Sequence, residues 1–351
     1  MKFIHAIDST VEIGPIEKSS FQTIIGHEFK NSKKVLLCDE NTYKYCVEKL
    51  VTFFDDLSTA EIIVIPIGED SKSIELCIQI WSSLKDYQIG RGDLLINVGG
   101  GVVCDLGGFI ASTYKRGIGF INIPTSLLAM VDASIGGKNG IDLAFTKNLI
   151  GTFNSPLMVF CDLQFLNTLP QAEIEYGKAE MFKHGLIAMK SHWQAISELG
   201  KDSVTENMLF DSISIKNEII CQDFKESDIR KKLNFGHTVG HAIEGWALKH
   251  NSSIPHGVCV AWGIITESLL STKSGKLPQQ DYLQIEKIIK KHFKKPIIKE
   301  NDLNEIHQFM INDKKNVLSI NFTGLTRIGE AEINLTYSDE LIINALQEIF
   351  C

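Results

Sequence analysis

The sequence predicts an α/β fold, with a parallel sheet covered by helices in the first half of the chain and a mostly helical second half. Three observations carry this. Short, unbroken apolar runs rich in β-branched residues recur in the first half, helical or glycine-rich stretches separate them, and the strand pattern fades after Pro170. In order, the runs are KVLLC (34–38), EIIVIPI (61–67), DLLINV (93–98), FINIP (120–124) and LMVFCD (157–162). Runs that stay apolar instead of alternating mark strands buried on both faces, as in a parallel sheet. Between the second and third, SKSIELCIQIWSSLKDYQ places Ile74, Cys77, Ile78, Trp81 and Leu84 at helical spacing and ends near Gly90, as a crossover helix does. Beyond Pro170 the helical segments are EIEYGKAEMFKHGLIAMKSHWQAISEL, NMLFDSISIKNEIICQDF, HTVGHAIEGWALKH, GVCVAWGIITESLLST and QQDYLQIEKIIKKHF. The expected boundary lies near Leu169 to Ala172, giving domains 1–170 and 171–351. No internal repeat or low-complexity tract is present, which argues against a solenoid.

Composition narrows the function classes. With 44% hydrophobic and 22% charged residues the chain has the balance of a globular protein, not a disordered one. Its net charge of −8 argues against general nucleic-acid binding. MKFIHAIDST reaches Asp8 before an apolar leader can form, and no run of about 18 apolar residues follows. The expectation is a cytoplasmic protein with no membrane span and no nucleic-acid partner. Cys38, Cys46, Cys77, Cys104, Cys161, Cys221, Cys259 and Cys351 form no CxxC pair, and they read as buried free thiols in a reducing compartment.

Glycine is concentrated where chemistry is expected: 13 of 27 glycines lie between Gly90 and Gly151. Gly99, Gly100 and Gly101 follow the strand DLLINV and run into the helical VVCDLGGFIAS. Free amides at such a helix start suit a pyrophosphate. A tight turn with close helix–sheet packing explains the triplet equally well, and neither GxGxxG nor GxxxxGK[ST] is present to decide.

A second concentration of chemistry lies downstream. In LNFGHTVGHAIE, His237 and His241 are four apart and share a helix face, and His256 follows where another helix begins. Glu180 precedes Lys183 and His184 by one turn on an apolar helix. One carboxylate and two imidazoles with an open position would make a catalytic divalent-metal site, most simply zinc, though spacing does not choose which two histidines ligate. Arg116, Lys138, Lys147, Lys183, Lys216 and Arg230 stand in apolar or glycine-rich surroundings, where a cation needs an anionic partner. Lys190, Lys249 and the lysines from Lys287 to Lys295 read instead as solvated.

These residues together resemble the 3-dehydroquinate synthases, sugar phosphate cyclases related to the iron and glycerol dehydrogenases. The resemblance covers nearly the whole chain and is carried by GGGVVCDLGGF, TYKRGIGFINIPTSLLAMVDASIGGKNG, KNLIGTFNSP, LNTLP, GKAEMFKHGLI, LNFGHTVGHAIE, PHG and NDKKN. It implies an N-terminal Rossmann-like parallel-sheet domain followed by a mostly α-helical metal-binding domain. The implied metal ligands are Glu180, His237 and His256, for zinc or cobalt, with His241 a substrate contact. NAD would be held by Asp39, Asn41, Glu69, Lys72, Gly100, Gly101, Val102, Val103, Asp105, Thr125, Ser126, Lys138, Lys147 and the segment from Phe165 to Thr168. Substrate contacts would come from Asp132, Lys138, Asn148, Lys183, Lys216, Arg230, Asn234, His241 and Lys314, with Arg116 arriving from the second subunit of a homodimer. The implied reaction turns the sugar phosphate 3-deoxy-D-arabino-heptulosonate 7-phosphate into 3-dehydroquinate and phosphate. Transient oxidation at C5 by NAD permits β-elimination, the hydride returns, and an aldol step closes the ring.

The chain departs from the family pattern at four places. Val258 stands where a glutamate is usual, Asn139 where a threonine is usual, and Phe224 and Asp228 alter the segment leading to Arg230. Loss of a carboxylate beside His256 is expected to weaken metal affinity. Rival readings are cyclases acting on sedoheptulose 7-phosphate or glucose 6-phosphate, a glycerol-dehydrogenase-like oxidoreductase, and a non-catalytic NAD-binding protein. The number of cations near the site favours a substrate with both carboxylate and phosphate.

Overall fold

The computed structural model describes residues 1–143, 146–199, 204–312 and 320–351. They divide into two compact units, Met1–Ile174 with Val204–Asn217, and Glu175–Ser203 with Glu218–Cys351.

The first unit is built on strands β1 (Lys2–Ala6), β2 (Ser9–Ile13), β3 (Lys34–Asp39), β4 (Glu61–Ile65), β5 (Leu94–Gly99) and β6 (Gly119–Pro124), then β7 (Lys138–Leu143), β8 (Thr146–Phe153) and β9 (Met158–Cys161). All five expected runs are strands of one seven-stranded sheet, ordered β1-β2-β9-β6-β5-β3-β4. Every pairing in it is parallel except the β1–β2 hairpin. Hydrophobic side chains of β3, β5 and β6 such as Leu36, Leu95 and Ile121 are fully buried, which is why these strands read as unbroken apolar runs. A polar pair crosses that core in register, where Asn97 donates to Asn122 over 2.9 Å.

Helix α1 (Ile74–Asp86) is the expected crossover, but its buried stripe differs from the expected one. Cys77, Ile80 and Leu84 face the core while Ile78 is 55% exposed. Steps of three and four residues keep Cys77, Ile80 and Leu84 on one face, and Ile78 falls about 100° off it. The β1–β2 hairpin and the separate β7–β8 hairpin have no counterpart in the sequence reading, because their strands mix polar and apolar residues.

Helix α2 (Gly101–Thr113) follows β5 directly. The later helices are α3 (Gln171–Ala188), α4 (Lys190–Glu198), α5 (Glu206–Gln222), α6 (His237–Lys249), α7 (His256–Lys273), α8 (Gln279–His292), α9 (Leu303–Asn312) and α10 (Asp339–Phe350). The expected long helical segment from 173 to 199 is two helices, broken at Met189 by extended backbone. The second unit also contains an antiparallel hairpin, β10 (Phe322–Arg327) with β11 (Glu330–Leu335). Helix α3 is buried from Gly177 to Ile187 on every side, unlike a surface helix with one apolar stripe. Among the described helices none is long and apolar enough to cross a membrane. All the cysteines are free, but Cys221 and Cys351 are exposed, contrary to the expectation of burial, since each lies at or near the end of a helix.

Burying Lys178 completely in α3 requires a counter-charge, and Glu175 one turn earlier supplies it at 2.7 Å. The other Glu175 oxygen lies 3.2 Å from His292 Nδ1. Burial alone would raise the Glu175 carboxyl, but its partners His292 and Lys178 bring it down to about 2. A carboxyl depressed in the folded state stabilises fully above its unfolded value of about 4.3 and loses that contribution as pH falls toward about 2, on the order of 3 kcal/mol. Acid titration followed by circular dichroism is expected to show Glu175→Gln less stable than wild type at pH 7 and flatter between those two values. Parallel curves would refute the pairing.

Candidate active site

In the first unit three of the predicted nucleotide residues, Glu69, Asp105 and Lys147, lie around a fourth, the buried cation Lys72. Lys72 is 3% exposed, donates to Asp105 at 3.0 Å, and lies 3.4 Å from Glu69. It also donates to Asn148, whose amide is fixed by Asp142 at 2.7 Å. Lys147 approaches Glu69 at 3.5 Å. Burial of Lys72 alone would favour its neutral form, but the carboxylates of Asp105 and Glu69 reverse this and hold it charged, above its usual range. Asp105 is pushed up to about 6 by burial, with Lys72 opposing.

Beside this cluster the glycine triplet divides its roles. A side chain on Gly99 would sit 2.5 Å from Val103, and one on Gly107 2.0 Å from Asn97, so these two glycines serve helix–sheet packing. At Gly100 and Gly101 the nearest atoms to such a side chain are 3.5 and 3.4 Å away. Gly100 is the N-cap of α2 and offers no side-chain cap, so the first-turn amides remain available to an anion. Close packing therefore accounts for Gly99, while Gly100 and Gly101 leave room for a close approach. Ser126 adjoins Gly100 and Thr125 N donates to Gly99 O at 2.9 Å.

Other predicted residues of this unit have local duties. Asp39 caps the turn after β3 through Thr42 N at 2.8 Å, and Asn41 is exposed beside it. Val102 is half-buried and Val103 buried, Phe165 is buried, and Thr168 donates to the Phe165 carbonyl. Asp132 and Lys216 pair directly, and the Lys216 ammonium also donates to the Asp132 carbonyl at 2.6 Å. Lys138 and Arg116 are exposed, not embedded as expected, because the first opens β7 and the second ends a surface turn. Asn139 is structural: it donates to Gly137 O at 3.2 Å and Asn154 O at 2.9 Å.

In the second unit the metal-ligand candidates converge. Glu180 is completely buried, with Oε1 3.3 Å from His237 Nε2 and 3.9 Å from His256 Nε2, while Oε2 pairs with Lys183. One ligand atom each from Glu180, His237 and His256 lies within 4.8 Å of the others. His241 is exposed, its ring 5.2 Å from that of His237 and 6.0 Å from that of His256; it groups with Glu244 and His256 instead. Burial would favour the neutral acid at Glu180, yet the charges of Lys183, His237 and His256 hold it well below the carboxylate range.

Both imidazoles have Nδ1 facing an oxygen: His237 meets Phe235 O at 3.2 Å, and His256 meets Glu244 Oε2 at 3.4 Å. Each is thereby set to present Nε2 toward Glu180, the usual support for a metal-binding histidine. A carboxylate therefore does stand beside His256 despite the departure at Val258: Glu244, which the sequence reading did not assign. Its signal was present, since His237, His241 and Glu244 stand at i, i+4 and i+7 on one helix.

The helices carrying these histidines are locked to each other. Gly236 caps α6 at φ 79, and buried Glu267 of α7 accepts from Gly236 N at 2.7 Å and Val239 N at 3.0 Å. A carboxylate on orphan amides at a helix start satisfies both hydrogen bonding and the helix dipole. Lys183 and Arg230 are 1% and 2% exposed, as expected for cations in apolar surroundings. Asn234 donates to Glu226 at 2.7 Å. Lys314 lies outside the described residues.

A family model described as 3-dehydroquinate synthase N-terminal matches residues 62–176, and one described as 3-dehydroquinate synthase C-terminal matches 177–316. The chain is 38% identical over 334 residues to the 3-dehydroquinate synthase of Parabacteroides distasonis, covering 94% of each. Among solved structures it is similar to a 2-deoxy-scyllo-inosose synthase complexed with carbaglucose-6-phosphate, NAD+ and Co2+, with a TM-score of 0.85 at 21% identity over 99% of both chains. It is also similar to a 2-epi-5-epi-valiolone synthase from Streptomyces hygroscopicus with NAD+ and Zn2+ bound, with a TM-score of 0.83 at 20% identity over 99% of this chain and 98% of that one.

Proposed function

The chain belongs to the 3-dehydroquinate synthase family, and from that premise we propose how its two residue clusters serve the family's reaction. The protein is a lyase that converts 3-deoxy-D-arabino-heptulosonate 7-phosphate into 3-dehydroquinate and phosphate, using NAD and a divalent metal. The observation that carries this reading is the convergence of Glu180, His237 and His256, each imidazole held with Nε2 inward. A buried carboxylate facing two neutral-capable imidazoles has the donor set of a catalytic zinc or cobalt site.

The uncapped start of α2 at Gly100 and Gly101 would take the NAD pyrophosphate, with Glu69, Lys72, Asp105 and Lys147 around it. When bound, NAD would supply the hydride acceptor and donor at C5, and the metal would orient and acidify substrate hydroxyls. The remaining work falls to side chains. Lys183 and Arg230 are buried cations suited to the carboxylate and phosphate of the substrate, with Lys138, Asn148, Lys216, Asn234, Lys314 and Arg116 completing the set. Asp132 keeps the Lys216 ammonium in place through their ion pair. His241, exposed beside Glu180, His237 and His256, would relay a proton at its imidazole. The leaving phosphate can serve as its own base, so positioning accounts for much of the rate.

The test is phosphate release from the heptulosonate phosphate in the presence of NAD and zinc or cobalt, with absorbance of NADH followed in the same cuvette. Release without net NADH, stopped by a chelator, is expected. Steady NADH accumulation with a polyol, and no phosphate, would overturn the reading.

A homodimer is part of this proposal. Leu149 and Phe153, on one face of β8 by strand alternation, are 58% and 48% exposed, apolar side chains of the kind a second subunit covers. Sedimentation is expected to give twice the 39.2 kDa of one chain. The free cysteines fit a cytoplasmic location.

A further inference from the structure

A single carboxylate organises the segment that leads from α5 to Arg230. Asp223 is 8% exposed, and four donors converge on its two oxygens. Ser227 N at 2.9 Å and Ser227 Oγ at 3.0 Å reach Oδ1, while Asp228 N at 2.7 Å and Arg230 N at 3.1 Å reach Oδ2. All four lie four to seven residues downstream, so the carboxylate closes the chain into a loop. No lysine or arginine side chain is among these partners; backbone amides and one hydroxyl satisfy it.

Within the loop the backbone is held in an uncommon conformation. Glu226 sits at φ 61, a left-handed position that costs a non-glycine residue on the order of 1 kcal/mol or more unless its surroundings impose it. The Arg230 guanidinium turns back to donate to Phe224 O, inside the same loop. Asn234, one turn on, donates to the Glu226 carboxylate at 2.7 Å. Three side chains are therefore aimed by a backbone path that one anion holds closed. The departures Phe224 and Asp228 leave it intact, because position 224 contributes a backbone carbonyl and position 228 a backbone amide that any residue but proline possesses.

We propose that Asp223 is a positioning residue for substrate-anion recognition, holding residues 224–230 so that the Arg230 guanidinium keeps a fixed direction. The proposal rests on the reading above that Arg230 meets the anionic substrate. Although burial raises the Asp223 carboxyl, amide hydrogen bonds from Asp228, Ser227 and Arg230 bring it down to about 2. It is thus charged across any ordinary assay pH, and its effect on recognition is constant from pH 6 to 8.

The experiment compares Asp223→Ala and Asp223→Asn with wild type, each loaded with NAD and zinc. In Asp223→Ala the KM for the heptulosonate phosphate is expected to rise about tenfold or more, equally at pH 6 and 8. NAD affinity and zinc retention against a chelator are expected to stay near wild type, while Tm falls by some degrees because the amides of Ser227, Asp228 and Arg230 lose their acceptor. Asp223→Asn, which keeps an acceptor for Ser227 but not for Asp228 and Arg230, is expected to fall between, and it serves if the alanine variant does not fold. An unchanged KM in a folded variant overturns the proposal, as does an equal loss of NAD and zinc affinity, which would mean general loosening. A wild type that releases no phosphate would sink the functional reading instead. Amide hydrogen exchange then decides: faster exchange over residues 224–230 in the variants sustains the loop-holding role, and identical exchange overturns it.

Discussion

Glu180→Gln is expected to lower phosphate release by about a thousandfold or more while leaving circular dichroism unchanged, and excess zinc is not expected to rescue it. Glutamine keeps the volume and one acceptor oxygen, so the fully buried site stays filled. It removes the negative charge that Lys183, His237 and His256 share, and with it the anionic ligand of the set. A hard or borderline cation then faces two imidazoles and an amide, a much weaker donor set. Two measurements separate the causes. Zinc content after dialysis reports binding, and phosphate release reports chemistry. Stoichiometric zinc with full activity would overturn the ligand assignment, and stoichiometric zinc with no activity would move Glu180 from holding the metal to acting on the substrate.

The parallel sheet was legible because burial on both faces leaves the sequence few alternatives to Val, Ile and Leu, as in β3 and β5. The hairpins β1–β2 and β7–β8 were not, because their strands mix polar with apolar residues and the runs are short. At the site, residue types and spacing narrowed the ligands to one carboxylate and two of three histidines. The resemblance named His237 and His256 as ligands, and in the structure their Nε2 atoms approach Glu180 in a group that His241 does not share. Glu244 could have been found from its helix face. Glu267 could not, since it caps α6 from positions 28 and 31 residues away along the chain. Asp223 was equally hidden, because its partners lie in irregular backbone where neither a 3.6-residue nor a 2-residue period applies.

Gly263→Ala is expected to cost more than roughly 3 kcal/mol of stability and to loosen zinc binding with it. An added methyl at Gly263 would lie 1.9 Å from Gly236 O and 2.9 Å from Gly240 N, and these are backbone atoms that no rotamer change can move. Relief requires α6 and α7 to separate. Separation stretches the bonds from Glu267 to the start of α6, where His237 is the first helical residue. His237 and His256 stand on the two helices being parted, so packing and metal affinity fail together. Gly240→Ala is the graded case: its methyl would sit 3.1 Å from Cys259 O, a few tenths of an ångström too close, and a smaller loss of both is expected. Gly92→Ala is the control, with nothing within 4 Å, and is expected to stay within about 0.5 kcal/mol of wild type. Denaturant midpoints and chelator competition on the three variants test the coupling directly. Stability lost at Gly263 with zinc affinity retained would show that the histidines do not depend on the close approach of their helices.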